Sequence, residues 1–306
     1  FNDPAPPGTY TLSLHDALPI LPPELPDTPA LRHDLAQYLD AVQCADACAG
    51  AVLQALREAG RLEHTLVIFT SDQGYCYHRA KATAYDDGVR VPLIVAGPGV
   101  RSGVQESRLA SHVDLLPTIL EAVGLPIPER IQGASLMPLL AGREVPSWRN
   151  CVFAEHNAHG PNPREYYPIR SACDGRFHYL RNLTAERRAD IPVEAMALGR
   201  AGGMDVFWAG PADIFPGGPW GNGSFRATVE AKEAFPKQYE LLVRTFARPP
   251  EELYDLHSDP GEMENLAGDP RFAAVQRRLA AALDAWMQET DDPGIALRER
   301  PRRQQA

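Results

Sequence analysis

Ten residues, Thr65 to Gly74 ("TLVIFTSDQG"), constrain the fold more than any other stretch of the chain. Leu66 to Phe69 are apolar without interruption, and Thr70 adds another β-branched residue. The run is too short for a helix and shows no polar alternation, so it reads as a strand covered on both faces of a parallel sheet. A long helical pattern precedes it. Thr28 is placed to cap that helix, Pro29 suits its first position, and Gly60 suits its end. Leu31, Leu35, Tyr38, Val42, Val52 and Leu56 recur along it at helical spacing. A helix feeding an apolar strand is an α/β signature.

The alternation continues to about residue 160. "VRVPLIVAGPG" is a second buried strand, "SHVDLLPTILEAVG" a helix capped by Asp114 and stopped by Gly124, and "NCVFAEHNAHG" a third short strand. The pattern then changes. "YYPIRSACDGRFHYLRNL" places two extended runs around Asp174-Gly175, a hairpin signal. "EELYD" is a further strand, and Phe272, Val275, Leu279, Leu283 and Trp286 form one face of a closing helix. Between these, residues 184–250 are irregular, with Phe207, Trp208, Phe215, Trp220 and Phe225 set to cover a core or to wall a sugar site. The expected fold is α/β with a mostly parallel sheet over residues 21–165, followed by a smaller antiparallel α+β subdomain over 166–306.

Composition narrows the function. The 306 residues are 44% hydrophobic, enough for a sizeable core, and carry a formal net charge of −10. Basic residues cluster only in the tail "RERPRRQQA", which argues against a nucleic-acid groove. No apolar run reaches the roughly 18–20 residues of a membrane span. The five cysteines cannot all pair, and their spacing matches no zinc pattern; Cys44 and Cys48 are expected as small packing residues in the long helix.

In open α/β sheets ligands bind beyond the carboxyl ends of the strands, where Asp72 and Gln73 lie. A carboxylate and an amide oxygen suit Ca²⁺ or Mg²⁺, and the same residues also suit a simple turn. The segment "TLVIFTSDQGYCYHRAKATAYDDGVRVPLIVAGPG" resembles the C-terminal metal-site segment of the sulfatase family, within the alkaline-phosphatase-like superfamily. The short gap from "SDQG" to Lys81, followed by "YDDGVRVPL", is most similar to the sulfamidase-like branch. The likeness extends through "PPELPDTPALRHDLAQYLDAV", "HVDLLPTILEAVGLPIP" and "ELYDLHSDPGEMENLAGDP". It implies an alkaline-phosphatase-like sandwich, with Asp72 and Gln73 as ligands of an active-site Ca²⁺ (Mg²⁺ less favoured). Gln73 stands where the family more often has Asn or His, and it too supplies a carbonyl oxygen. Lys81 takes the position that grips sulfate oxygens, and His156 and His159, in "EHNAH", face the sugar or leaving group. Arg170 either reaches the cleft or is structural, and Asp86, Asp87 and Arg90 read as turn and packing groups.

The resemblance further implies a sulfated-carbohydrate substrate, a periplasmic or secreted location, and a formylglycine nucleophile made in a C/S-x-P-x-R motif. No cysteine or serine here stands in that motif. The string "TLSLHDALPI" is similar to one reading frame of a common sequencing adapter, so residues 1–20 are expected to be non-native. The chain is then expected to be the C-terminal part of a sulfatase, inactive alone. Two alternatives stay open: a phosphoric-ester or phosphonate hydrolase of the same superfamily, and a non-catalytic carbohydrate-binding relative.

Overall fold

The computed structural model describes residues 20–158, 166–185 and 222–294. In chain order these form helix α1 (Pro29–Glu58), strand β1 (Val67–Thr70), the single turn α2 (Asp86–Val89), β2 (Leu93–Ala96), α3 (Leu115–Ala122) and α4 (Met137–Leu140). Then come β3 (Val152–Ala158), β4 (Tyr166–Cys173), β5 (Phe177–Asn182), α5 (Asn222–Glu230), α6 (Pro236–Phe246), β6 (Glu251–Asp255) and α7 (Ala273–Glu289). Contacts divide the chain into one unit of residues 1–59 and 191–243 and a second of 60–190 and 244–306.

In the first unit α1 begins as its sequence dictates: the Thr28 hydroxyl accepts from the Leu31 N–H at 3.3 Å, and Pro29 opens the helix. It packs against α5, whose Phe225 is buried. Only Leu31, Leu35 and Ala36 of α1 are buried, whereas Tyr38, Val42 and Val52 are exposed. Cys44 and Cys48 are exposed as well, so the expectation that they pack does not hold. Helical spacing identifies an apolar stripe but not its cover. Phe207, Trp208, Phe215 and Trp220 lie outside the described residues.

In the second unit β1 and β2 pair antiparallel, with Thr70 opposite Leu93 and Phe69 opposite Ile94. The expected parallel arrangement is therefore not the one formed between these strands. A parallel pair needs a crossover that carries the chain back along the sheet, usually a helix. Here the connection holds only the one turn α2 and closes on itself, so the chain re-enters beside its own exit. Nor is the pair covered on both faces, since Phe69 and Ile94 are 40% and 51% exposed. A short apolar run cannot reveal strand direction.

The larger sheet runs β3-β4-β5-β6, all antiparallel, and takes in β3 ahead of the boundary expected near residue 165. Asp174 and Gly175 turn the β4–β5 hairpin, Gly175 at φ 90° where other residues are strained. Alternation along the strands makes two faces. Ala172, Tyr179 and Leu253 pack under α7 with Leu279 and Leu283, and Phe153 stacks on Trp286 with ring centroids 5.3 Å apart. The other face, with Ile169, Leu180 and Tyr254, is covered by Ala84 and Tyr85 of the β1–β2 connection.

Buried polar groups pin that connection to the sheet. Glu262 accepts from the His178 ring at 2.6 Å and from the Asp86 N–H at 2.7 Å, while its carbonyl accepts from Arg79 at 2.5 Å. Arg79 also lies 3.9 Å over the Tyr85 ring. The Tyr85 hydroxyl donates to Glu252 at 2.8 Å, and Glu252 accepts again from Tyr254 and Asn182. Burial opposes the charge on His178, yet the Glu262 carboxylate, with Asp86 and Glu252 near, raises its pKa above the ordinary 6.5.

Elsewhere Asp114 is fully buried and stands at the N-cap position of α3, but its side chain makes no capping bond there, contrary to expectation, and serves the preceding turn instead. Its carboxylate accepts from the Ser111 N–H in a capping box and from the Ala134 N–H, and it pairs with Arg149. Gly124 ends that helix at φ 72°, as expected.

Two outcomes follow. Truncating Leu283, wholly buried under the sheet, to alanine should cost about 2–5 kcal/mol in urea unfolding without changing the far-ultraviolet spectrum. Because the folded state holds the His178 proton more tightly, its stabilisation is complete below 6.5 and fades as pH rises through the raised value. Stability of the wild type relative to His178→Asn should therefore decline from pH 6.5 upward; parallel curves for the two proteins would refute the coupling.

Candidate functional site

Of the residues singled out by sequence, Asp72, Gln73, Lys81, Asp86, Asp87 and Arg90 lie in the β1–β2 connection. Asp72 and Gln73 follow β1 directly, Asp72 exposed and Gln73 half-buried. The turn holding them is fixed from within: the Ser71 hydroxyl donates to the Gln73 carbonyl at 2.7 Å. At the strand end, the Thr70 hydroxyl and the His112 ring are 3.0 Å apart. Gly74 follows because nothing larger fits. A Cβ there would lie 1.6 Å from the Asp87 carbonyl oxygen, and the Gly74 N–H donates to the Gly88 carbonyl at 3.1 Å. Close backbone approach, rather than a special φ, makes glycine necessary at this point.

The chain then dives inward. Tyr77, His78, Arg79 and Ala80 are buried, as are Thr83, Ala84 and Tyr85. Between them Lys81 and Ala82 return to a half-buried level. The Lys81 N–H donates to the Tyr75 carbonyl at 3.1 Å, which folds the lysine back against the residue two places beyond Gln73. Arg79 and Ala82 adopt φ of 63° and 65°, a left-handed conformation that costs each of them about 1 kcal/mol. The Thr83 hydroxyl, donating to the Ala80 carbonyl at 2.7 Å, and the Arg79 anchor hold the segment in that shape.

Asp86, Asp87 and Arg90 behave as turn and packing groups. Asp87 accepts from the Tyr75 hydroxyl at 2.6 Å, and Arg90 reaches Asp86 at 3.4 Å on the surface. His156, expected just beyond a strand, lies within β3 opposite Ile169, half-buried, with its ring 5.2 Å from that of Tyr167. Pairing of "EHNA" with β4 extends the strand through these polar residues. His159 lies outside the described residues. Arg170 is structural: fully buried, it grips Asp292 through two nitrogens at 2.5 and 2.8 Å and Asn157 through a third at 2.8 Å.

Chemically, Asp72 and Gln73 offer hard oxygens suited to a divalent ion, but two donors fall short of the six to eight oxygens calcium takes. No group of three or more His, Cys, Asp or Glu gathers for a metal among the described residues. Burial pushes the Cys151 thiol up to about 11 and the Cys173 thiol up to about 12, so neither is a thiolate nucleophile at neutral pH. Arg79, His178 and Glu262 were not legible as partners in the sequence. They come from three separated segments, and "GEMEN" differs in no local respect from an ordinary acidic turn.

The family model described as Sulfatase matches residues 8–125, and that described as N-sulphoglucosamine sulphohydrolase, C-terminal, matches residues 75–183. The human protein N-sulphoglucosamine sulphohydrolase is 33% identical over 300 residues, covering 94% of this chain and 54% of that protein. The chain thus spans about half the length of this curated relative. Among solved structures, a 2-O GAG sulfatase superposes with a TM-score of 0.60 at 23% identity, covering 86% of this chain and 44% of the other. The phosphonate monoester hydrolase of Agrobacterium radiobacter gives 0.58, also at 23%, covering 87% and 43%. These two likenesses establish a shared fold and do not separate sulfate from phosphonate chemistry. The two family models and the human relative show that the chain belongs to the sulfatase family.

Proposed function

We propose that this chain carries the metal- and sulfate-gripping part of a calcium-dependent hydrolase that cleaves sulfate esters or sulfamates on sulfated sugars. The observation that carries the reading is the β1–β2 connection. Asp72 and Gln73 follow the end of β1, the Lys81 N–H donates to the Tyr75 carbonyl two residues beyond Gln73, and all three lie in the stretch that the Sulfatase model matches, which supports the reading. The name of the human relative supports an N-sulfated glucosamine as the kind of substrate. Sequence likeness runs to sulfohydrolases, whereas the phosphonate hydrolase shares only the fold, and this favours sulfate over phosphonate.

In this reading the Asp72 carboxylate and the Gln73 amide oxygen donate to the cation, joined by oxygens from elsewhere. A Ca²⁺ held there would supply positive charge against the sulfate group. The Lys81 ammonium grips sulfate oxygens and opposes the charge that builds up as the S–O or S–N bond breaks. His156 and His159 donate to sugar hydroxyls or to the leaving group. The pinned inner half of the loop keeps its outer half in place, so the anion meets groups already oriented for it. A formylglycine nucleophile belongs to this chemistry, and no C/S-x-P-x-R motif for it occurs in the 306 residues.

Two measurements test the reading. The purified chain alone should give no turnover of an aryl sulfate, because covalent catalysis lacks its nucleophile; measurable turnover would overturn this. Calcium should bind weakly, with Kd of about 1 mM, and at 10 mM it should stabilise the chain by about 1.4 kcal/mol. Asp72→Asn should abolish that gain in a thermal melt. An identical calcium response in the variant removes Asp72 from the metal site.

A further inference from the structure

His178 and Glu262, the buried pair beneath the β1–β2 connection, are joined to the candidate site by an unbroken run of hydrogen bonds. One carboxylate oxygen of Glu262 accepts from Nδ1 of His178 at 2.6 Å, and the other accepts from the Asp86 N–H at 2.7 Å. Asp86 opens α2, whose Gly88 carbonyl accepts from the N–H of Gly74, the residue after Gln73, at 3.1 Å. Asp87 of the same turn accepts from the Tyr75 hydroxyl at 2.6 Å, and the Tyr75 carbonyl accepts from the Lys81 N–H at 3.1 Å. One carboxylate therefore ties the sheet to the backbone that carries Gln73 and Lys81.

The charge balance of that carboxylate rests on one group. His178 and Glu262 are 1% and 3% exposed, so water does little to screen either. Arg79 donates to the Glu262 carbonyl, not to its carboxylate. Among the described residues the His178 imidazolium is thus the cation in ion-pair contact with it. Cys173 of β4 and Tyr254 of β6 stand opposite the ring in the sheet, and burial raises both, the thiol to about 12, so neither titrates near neutral pH. Asp86 from α2 and Glu252 from β6 add negative charge that favours the protonated ring. Losing the His178 proton leaves Glu262 buried with no balancing charge and a weaker, neutral donor.

We infer that this pair is a proton-operated latch on the candidate site. With His178 charged, Glu262 holds α2 and the loop backbone bonded to it; with His178 neutral, that hold slackens and Gln73 and Lys81 lose their fixed relation. His178 touches neither of them and acts through Glu262, which makes it a positioning residue. The latch stands on these contacts alone, whereas its effect on calcium rests on the proposed function. Burial works against the imidazolium, yet Glu262 outweighs it and raises His178 above its ordinary 6.5. The hold is therefore complete below 6.5 and fades as pH rises through the raised value. Carboxylates ordinarily ionise at about pH 4, so a calcium site without the latch would show no weakening over that range.

Hydrogen–deuterium exchange on the whole calcium-free chain, corrected for the intrinsic rise of exchange with pH, tests the latch. Between about pH 6 and about pH 9, protection over residues 74–88 should fall several-fold. That exchange should be insensitive to low urea, which marks local opening rather than unfolding of the whole chain. His178→Asn, neutral at every pH, should show the low protection throughout and no step. Should it fail to fold, Glu262→Gln removes the charge that the imidazolium balances and should also erase the step. Equal protection at both pH values in the wild type, or the same step in a folded variant, would overturn the latch. Calcium titrated in parallel separates the two readings: its Kd should rise several-fold over the same range in the wild type and stay flat in His178→Asn. A flat Kd in the wild type overturns the link to the site. No calcium response at any pH, with the exchange step present, overturns the proposed function and supports the latch.

Discussion

The structure of the second unit depends on one buried contact set, in which Glu262 receives His178 from β5, the Asp86 N–H from α2 and Arg79 from the β1–β2 connection. The connection closes its own turns with backbone bonds such as Gly74 N–H to the Gly88 carbonyl and Lys81 N–H to the Tyr75 carbonyl, but those bonds do not seat it on the sheet. Its shape is imposed from below, by the sheet. Arg79 does this at its own expense, adopting a left-handed backbone so that its guanidinium can lie over Tyr85 and reach the Glu262 carbonyl. Removing water from so many polar groups is unfavourable, and such networks add little stability over apolar packing of equal volume. What they supply here is uniqueness: the His178 ring, the Asp86 N–H and Nη2 of Arg79 all meet Glu262, and a shifted loop would leave them buried and unmet.

The same contacts separate the two levels of the loop. Tyr77 to Ala80 and Thr83 to Tyr85 are core residues, whereas Asp72, Gln73 and Lys81 stay at or near the surface. A site built this way can present charged and amide groups to solvent without relying on their own packing for position. Gly74 and Gly88 serve this layering, because each lies where a second strand of backbone passes too close for any side chain. The four-stranded sheet is clamped in turn from its other face by α7, whose Leu279 and Leu283 are fully buried. The polar loop on one face and the apolar helix on the other share a single set of strands.

Much of the local structure was legible in the residues. Thr28 with Pro29 marks the start of α1, Gly124 the end of α3, and Asp174-Gly175 the hairpin, because each acts through its own backbone geometry or a neighbour three residues away. The closing helix was equally plain, since its stripe is long enough for the period to show. Less visible was anything that depends on a distant segment. His156 reads as a loop residue until β4 is seen to pair with it, and Arg170 is ambiguous until Asp292 arrives from 122 positions away.

The sequence by itself determined where α1 begins, where α3 ends and where the β4–β5 hairpin turns, which acid and amide follow β1, and which family the ordered motifs fit, for these are carried by short-range geometry and residue chemistry. The helices α5 and α6, in a stretch that reads as irregular, were not legible. Only the tertiary structure decided that β1 and β2 run in opposite directions, that β3 joins the larger sheet, and that the segment around Arg79 is core. Strand direction and burial are properties of pairs of segments, and a polar side chain such as Arg79 enters a core only when partners from other parts of the chain meet its hydrogen bonds there.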